Sequence, residues 1–288
     1  MEKIKLMTDT ACDIPLEEAE KLGIDILSVL ITAGDVTFLE RREKSDEEFY
    51  EILKNSAEIP TTAAINPYEF QKAYEKHVED GYNEIIFVSI NAAGSSIYQS
   101  ALTAKDMFYE EHEDLKENVH IHVLDSKSYT IAYGFPLLKA AKMVADGADV
   151  SDVLTFLQDM IDHNRIYFCV YTLDYAKRSG RISCAAAAVG GLLGIKPIMK
   201  AENSQITMAG KARSSKAALA DICQKVVSEI KEGEEYALIG GNHPEHTDEL
   251  NKMLTEKLGY SASVIFKPGA SISINAGPEL CGVGFYHK

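Results

Sequence analysis

Two hydroxyl-bearing segments carry the residue types best suited to holding an anion: Pro60-Thr61-Thr62-Ala63 and Gly94-Ser95-Ser96-Ile97-Tyr98-Gln99-Ser100-Ala101. The second follows the apolar run Ile85 to Ile90, which reads as a buried strand, and precedes a helical pattern of Tyr98, Ala101, Leu102 and Lys105. The first N–H groups of a helix lack intrahelical partners and the helix dipole favours negative charge there, so Ser95 stands where a carboxylate or phosphate oxygen could be held. Thr62 has a similar setting, just ahead of Asn66-Pro67, where Asn caps and Pro starts a helix through Tyr68, Phe70, Ala73 and Tyr74. Plain helix capping would use the same two residues, and spacing alone does not separate the roles.

Other chemistries find less support. There is no GxxxxGK[ST] phosphate loop, and Gly190-Gly191-Leu192-Leu193-Gly194 has neither its Lys-Ser/Thr pair nor GxGxxG spacing. Gly94-Ser95-Ser96 lacks the second glycine of a GxSxG elbow, which argues against a serine hydrolase. His120 and His122 alternate along one strand, and His243 and His246 flank Pro244-Glu245. No third ligand is signalled beside either pair, so both read as surface or half-buried histidines and no metal is expected. Asp9 reads as a turn brace. The five cysteines, Cys12, Cys169, Cys184, Cys223 and Cys281, are odd in number and have no CxxC pairing, as reduced thiols would be.

The elements that must position these residues alternate in the first half. Strands are expected at Lys3 to Thr8, Asp25 to Ile31, Glu84 to Ile90 and His120 to Leu124. Helices are expected near Leu16 to Leu22, Asp46 to Lys54, Tyr68 to Asp80, Ser96 to His112 and Phe135 to Asp146. That order predicts a mainly parallel sheet with helices on both faces, and ligands of such sheets bind beyond the carboxyl ends of the strands. Thr8-Asp9-Thr10, Asn91 to Ser95 and Asp125-Ser126 all follow strands in this way. After a helix at Val153 to His163 the pattern changes to strands at Ile166 to Tyr171, Gln205 to Ala209, Tyr236 to Gly240, Ser261 to Lys267, Ile272 to Asn275 and Gly282 to Tyr286. Helices at Ser214 to Lys231 and His246 to Leu258 complete it. The expectation is an α/β protein of two domains, an N-terminal α/β domain over 1–160 and a C-terminal α+β domain over 161–288.

Charge and hydropathy exclude whole classes. Of 288 residues, 29 are Lys or Arg and 44 Asp or Glu, a net charge of −15, which argues against nucleic acid and against stable association with an anionic membrane. The N-terminus enters a strand without the apolar core of a signal peptide, so a cytoplasmic location is expected. The most apolar stretch, Ile182 to Ile195, is too short to span a bilayer.

What the residues support is a binding site for a molecule with an anionic head and an apolar body. Thr62 and Ser95 supply hydroxyl donors, while Ala63, Ala64, Ala92, Ala93 and Ile97 leave small apolar walls. The segment Ala185 to Gly194 would supply a narrow passage, and core packing explains its composition equally well. The alternative from another class is an enzyme acting on a small phosphorylated or carboxylated metabolite in the same cleft.

Over essentially its whole length the chain also resembles the DegV family, which includes the FakB-type fatty acid-binding subunits of bacterial fatty acid kinases. The resemblance rests on Thr8-Asp9-Thr10, Pro60-Thr61-Thr62, Ser95 to Ala101, Leu124-Asp125-Ser126 and Thr172-Leu173-Asp174-Tyr175. It continues through Ser179-Gly180-Arg181-Ile182-Ser183, Leu192 to Pro197 and Lys211-Ala212-Arg213. It implies a two-domain carrier that performs no chemistry and needs no cofactor. One long-chain fatty acid is held, its carboxylate on the hydroxyls of Thr62 and Ser95 at the domain junction and its tail in an apolar tunnel. The acid is presented to a separate kinase that phosphorylates the carboxyl group. Several positions depart from the family pattern: Thr62-Ala63-Ala64-Ile65-Asn66 replaces TSQPS, Asn91-Ala92 replaces Ser-Ser, and Ser96-Ile97 replaces Gly-Thr. Asn275 stands where kinase-linked members carry a histidine, and an amide cannot supply a protonated imidazole. Arg181 and Arg213 match basic positions of the family and suit contact with the ligand's head, partner docking or structural ion pairs.

Overall fold

The computed structural model of the protein describes residues 2–172, 174–180 and 194–288. Strand β1 (Ile4–Asp9) lies second in a parallel sheet whose order is β2 (Asp25–Leu27), β1, β6 (Glu84–Ser89) and β7 (His120–Asp125). All six residues of β6 are buried, as a parallel strand covered on both faces should be. One face packs against α3 (Pro67–Glu79) and α4 (Ile97–Glu111), where Phe70, Tyr74, Ala101 and Phe108 meet Met7, Ile85 and Phe87. The other face packs against α5 (Ile131–Ala145) and α6 (Val150–His163), which bring Leu137 and Leu157 to Leu6, Ile86 and Val88.

Helix α5 is apolar all round from Ile131 to Leu138 because it is covered all round. Its second neighbour is a mixed sheet, ordered β10 (Gln205–Ala212), β9 (Lys196–Glu202), β8 (Asn164–Cys169), β13 (Cys281–Tyr286), β11 (Tyr236–Gly240) and β12 (Val264–Phe266). Only the β11–β12 pair in that sheet is parallel. Ile166, Phe168, Met199, Ala237 and Ile239 of this sheet share one core with Leu6 and Ile86 of the parallel sheet. On its far side lie α8 (Ser215–Glu229) and α9 (Pro244–Leu258). Helix α5 also runs against the short 3₁₀ turn at Thr10–Cys12, so close that a Cβ on Gly134 would collide with the Cys12 carbonyl oxygen.

A small antiparallel sheet, β4 (Val36–Leu39), β3 (Leu30–Ala33) and β5 (Thr61–Ala63), sits beside these layers. Helices α1 (Leu16–Lys21), α2 (Asp46–Asn55), α7 (Asp174–Ser179) and α10 (Ala270–Ala276) complete the described elements. Among the described residues no helix is long and apolar enough to cross a membrane.

The expected α/β class with a parallel sheet stands, and several local expectations change. The strand expected over Asp25 to Ile31 is two strands in different sheets, since the chain turns away where Val29 N–H donates to Thr10 Oγ1 at 3.1 Å. The strand expected over Ile272 to Asn275 is helix α10, preceded by Pro268-Gly269. Strands β4 and β9 form where none was expected, and Thr62 lies within β5 and not at a helix start.

Candidate functional site

The loops after β1, β6 and β7 converge as the parallel order requires. Ile90 N–H donates to Asp9 Oδ2 at 2.8 Å and Ala92 N–H to Asp125 Oδ1 at 3.0 Å, tying the three strand ends together. Asn91 organises the loop that carries Ser95. Its Oδ1 accepts from Ala93 N–H at 3.1 Å, its backbone carbonyl accepts from Gly94 and Ser95, and its Nδ2 donates to Tyr129 Oη at 2.8 Å. Gly94 packs against that tyrosine, and a Cβ there would lie 2.9 Å from its hydroxyl. Helix α4 starts after Ser96, and Ser95 Oγ accepts a long hydrogen bond from Ile97 N–H at 3.4 Å. Ser95 therefore sits at the start of a long helix, as its sequence context predicts.

Thr62 reaches the same place by another route. In β5 it pairs with Ile31, and strand alternation leaves Thr61 and Ala63 exposed while Thr62 is half-buried. Asn66 does cap α3 as expected, accepting from Glu69 N–H at 3.1 Å, with Pro67 in the first turn.

Thr62 and Ser95 both line one cavity of about 1000 Å³, at the upper end of the range for small-molecule sites. Ala63, Ala64, Ala92, Ala93 and Ile97 line it too, as the sequence suggests. The opposite wall comes from the mixed sheet and α10, with Ile166, Phe168, Ala201, Ile239, Ile272 and Leu280. Tyr129, Ser204, Ser271 and Asn275, with Ser96, Gln99, Gln205 and Thr207 among others, add polar atoms over about half of the wall, and among the described lining residues none is charged. An anionic head in this cavity would meet neutral donors and the start of α4, and its body would meet aliphatic carbon. The narrow passage expected over Ala185 to Gly194 falls, except for Gly194, outside the described residues, as do Arg181 and Cys184. Arg213 is exposed just after β10.

Sequence reasoning missed Ser271 as a cavity residue because it gave α10 the wrong structure, and it singled out Asn275 only through the family resemblance. That helix is fixed by carboxylates. Glu40 accepts from Ser271 N–H at 2.8 Å, from Ser271 Oγ at 2.5 Å and from Thr10 Oγ1 at 2.6 Å. Asp13 accepts from Gly269 N–H at 2.7 Å and from Thr130 Oγ1 at 2.5 Å, with the Arg41 guanidinium 3.7 Å away. Thr130, a cavity residue, holds a positive φ of 47°, a costly conformation for a β-branched side chain that the Asp13 bond helps to fix.

Asp9 accepts from Ala11, Ile90 and the Tyr133 hydroxyl, yet burial dominates and pushes its carboxyl up to about 6. The native state therefore keeps this proton to higher pH than the unfolded chain, whose aspartate titrates near 3.8. Its stabilising contribution is complete below that value and is lost as pH rises through 6. The stability advantage of wild type over Asp9→Asn is expected to shrink by about 3 kcal/mol from acid to neutral pH, read from urea midpoints. An advantage that grows over that interval contradicts the assignment. Cys12, the one cysteine in a loop-like sequence context, is fully buried and its thiol is pushed far up by desolvation, so it is unreactive.

The family described as "Uncharacterised protein, DegV family" matches residues 3–288. A DegV domain-containing protein of Caldanaerobacter subterraneus subsp. tengcongensis is 29% identical over 291 residues, covering 100% of both chains. One from Staphylococcus aureus is 32% identical over 287 residues, 98% of this chain and 97% of that one. Among solved structures, a fatty acid-binding DegV family protein of Thermus thermophilus has a TM-score of 0.88 at 24% identity, covering 99% of this chain and 100% of that one. A stearic acid-binding protein of Eubacterium ventriosum has a TM-score of 0.88 at 24% identity, covering 100% and 99%. DegV of Bacillus subtilis, a fatty acid-binding protein, has a TM-score of 0.83 at 27% identity, covering 100% of both. With its match running from the first strand to the last residue, the chain belongs to the DegV family.

Proposed function

We propose that this protein is a cytoplasmic carrier of one long-chain fatty acid, holding the carboxylate on the hydroxyls of Thr62 and Ser95 and the tail in the apolar cavity. The observation that carries the reading is the presence of both hydroxyls on the wall of one large cavity whose remaining lining is about half aliphatic and carries no charge among the described residues. Burying about fifteen methylenes at ~0.8 kcal/mol each supplies on the order of 12 kcal/mol before the costs of association. Hydrogen bonds to a charged head add about 1.5–3 kcal/mol each. The tail therefore sets affinity and the head sets orientation. The fatty acids bound by the Thermus thermophilus, Eubacterium ventriosum and Bacillus subtilis proteins agree with this ligand class.

The same reading makes the protein a presenter and not an enzyme: no charged group lines the described cavity wall to move a proton at the head group, so any phosphorylation of the carboxylate falls to a partner kinase. Delipidated protein incubated with radiolabelled palmitic acid should saturate at one acid per chain. No uptake at all would overturn the proposal. If exposed Arg213 docks the kinase, Arg213→Glu should abolish phosphoryl transfer and leave palmitate affinity unchanged; equal transfer by the variant removes that residue from the interface.

A further inference from the structure

The start of α9 gathers groups that fatty acid binding does not use. His243 is the N-cap of α9 but makes no side-chain bond to the helix, and Glu245 and His246 lie in its first turn. A ligand atom from each of these three residues lies within 4.8 Å of the other two. His243 Nδ1 is 2.9 Å from Glu245 Oε1, and its Nε2 is 3.5 Å from Glu279 Oε1, on the segment between α10 and β13. The His246 ring is oriented by stacking on Tyr171, with centroids 4.6 Å apart and planes 11° from parallel. Its Nδ1 is shielded from solvent and has no hydrogen-bond partner among the described residues. A shielded ring nitrogen with no partner is uncommon in a folded protein and calls for an occupant.

We propose that His243, Glu245 and His246 bind a divalent transition metal ion, with Zn²⁺ the best match, and that Glu279 orients the His243 ring. Two imidazoles and one carboxylate are a zinc donor set that leaves a fourth position for water. Ca²⁺ and Mg²⁺ prefer all-oxygen sites and fit it poorly. A carboxylate on the far nitrogen of a ligating histidine fixes the ring for coordination, which is the part Glu279 plays. Bonds of about 2.0–2.2 Å to a tetrahedral ion set its ligand atoms roughly 3.3–3.6 Å apart, so atoms now within 4.8 Å of one another need only small shifts, with exposed Glu245 giving way slightly from its 2.9 Å contact with His243. The helix start carries partial positive charge, which the carboxylates of Glu245 and Glu279 offset.

The sequence shows the two histidines without a clear third ligand; folding supplies it by turning Glu245 to face His243, and brings in Glu279 from 34 residues beyond Glu245 to orient that ring. The ion would sit on one of two segments already joined by backbone bonds, Gly241 N–H to Leu280 O at 3.0 Å and Asn242 N–H to Pro278 O at 2.8 Å, and would reach the other through the His243–Glu279 contact. Leu280 and Ala276, at the ends of the second segment, line the cavity, so the metal would stiffen that end of its wall.

The test is calorimetric titration of untagged, chelator-treated protein with Zn²⁺, with the visible spectrum of the Co²⁺ form as a second readout. Wild type should take up one ion per chain, give the intense visible bands of a four-coordinate Co²⁺ site, and unfold several degrees higher with Zn²⁺. The double variant His243→Gln/Glu245→Gln changes exposed or half-exposed side chains and should unfold within about 2 °C of metal-free wild type. It should bind Zn²⁺ roughly a hundredfold more weakly. Wild type that binds no Zn²⁺, or a variant that binds it as tightly as wild type, overturns the proposal.

Discussion

Replacing Thr62 and Ser95 together by alanine is expected to weaken long-chain fatty acid binding by roughly 10²- to 10⁴-fold with little change in fold stability. Each hydroxyl would donate to a charged oxygen, a bond worth about 1.5–3 kcal/mol, and every 1.4 kcal/mol is tenfold in affinity. The structural roles of the two side chains are slight by comparison. Ser95 Oγ accepts one long bond at 3.4 Å, and Thr62 sits in a three-residue strand held by its backbone. Competition titration with a fluorescent fatty acid, alongside a melting curve, reads both quantities. Unchanged affinity in a folded double variant would place the head group elsewhere.

The second large effect is one of stability. Glu40→Ala is expected to cost about 3–5 kcal/mol, which for a chain of this size lowers the melting temperature by on the order of 10 °C. Glu40 is buried and accepts three hydrogen bonds from two residues, Thr10 and Ser271, and it lies near Arg41. Removing the carboxylate leaves those buried donors without partners, at roughly 1–3 kcal/mol each where the site cannot relax. The damage should also reach function, because Ser271, Ile272 and Asn275 of α10 form part of the cavity wall. A variant that melts with wild type would mean that α10 is held by its apolar packing alone.

These two sites differ in how far they could be read from sequence. The Ser95 loop announces itself locally, since a buried strand, Asn91 with Gly94, and a helical period follow one another within about twenty residues. The Asn66-Pro67 helix start is equally local and forms as expected. Thr62 lines the same cavity, but its setting is a strand pairing with Ile31, and no local pattern signals a partner that far away. Helix α10 is misread for a sharper reason. Ser271-Ile272-Ser273-Ile274 alternates like a strand exposed on one face, whereas all four residues are buried and the serines bond to Glu40 and Pro268. The parallel order of the first sheet follows from alternating elements, while the mixed sheet depends on β9, whose Lys196-Pro197 start disguises it. Which inward residues of that sheet face the cavity depends on its packing over α5, a long-range contact.

Occupancy of the cavity by a long-chain fatty acid is read out by organic extraction of the purified protein followed by mass spectrometry. The account predicts close to one long-chain fatty acid per chain in wild type and strong depletion in the folded Thr62→Ala/Ser95→Ala variant. Wild type that yields no lipid and also fails to take up added fatty acid would contradict it, and would direct attention to a small carboxylated or phosphorylated metabolite as the ligand of the same cavity.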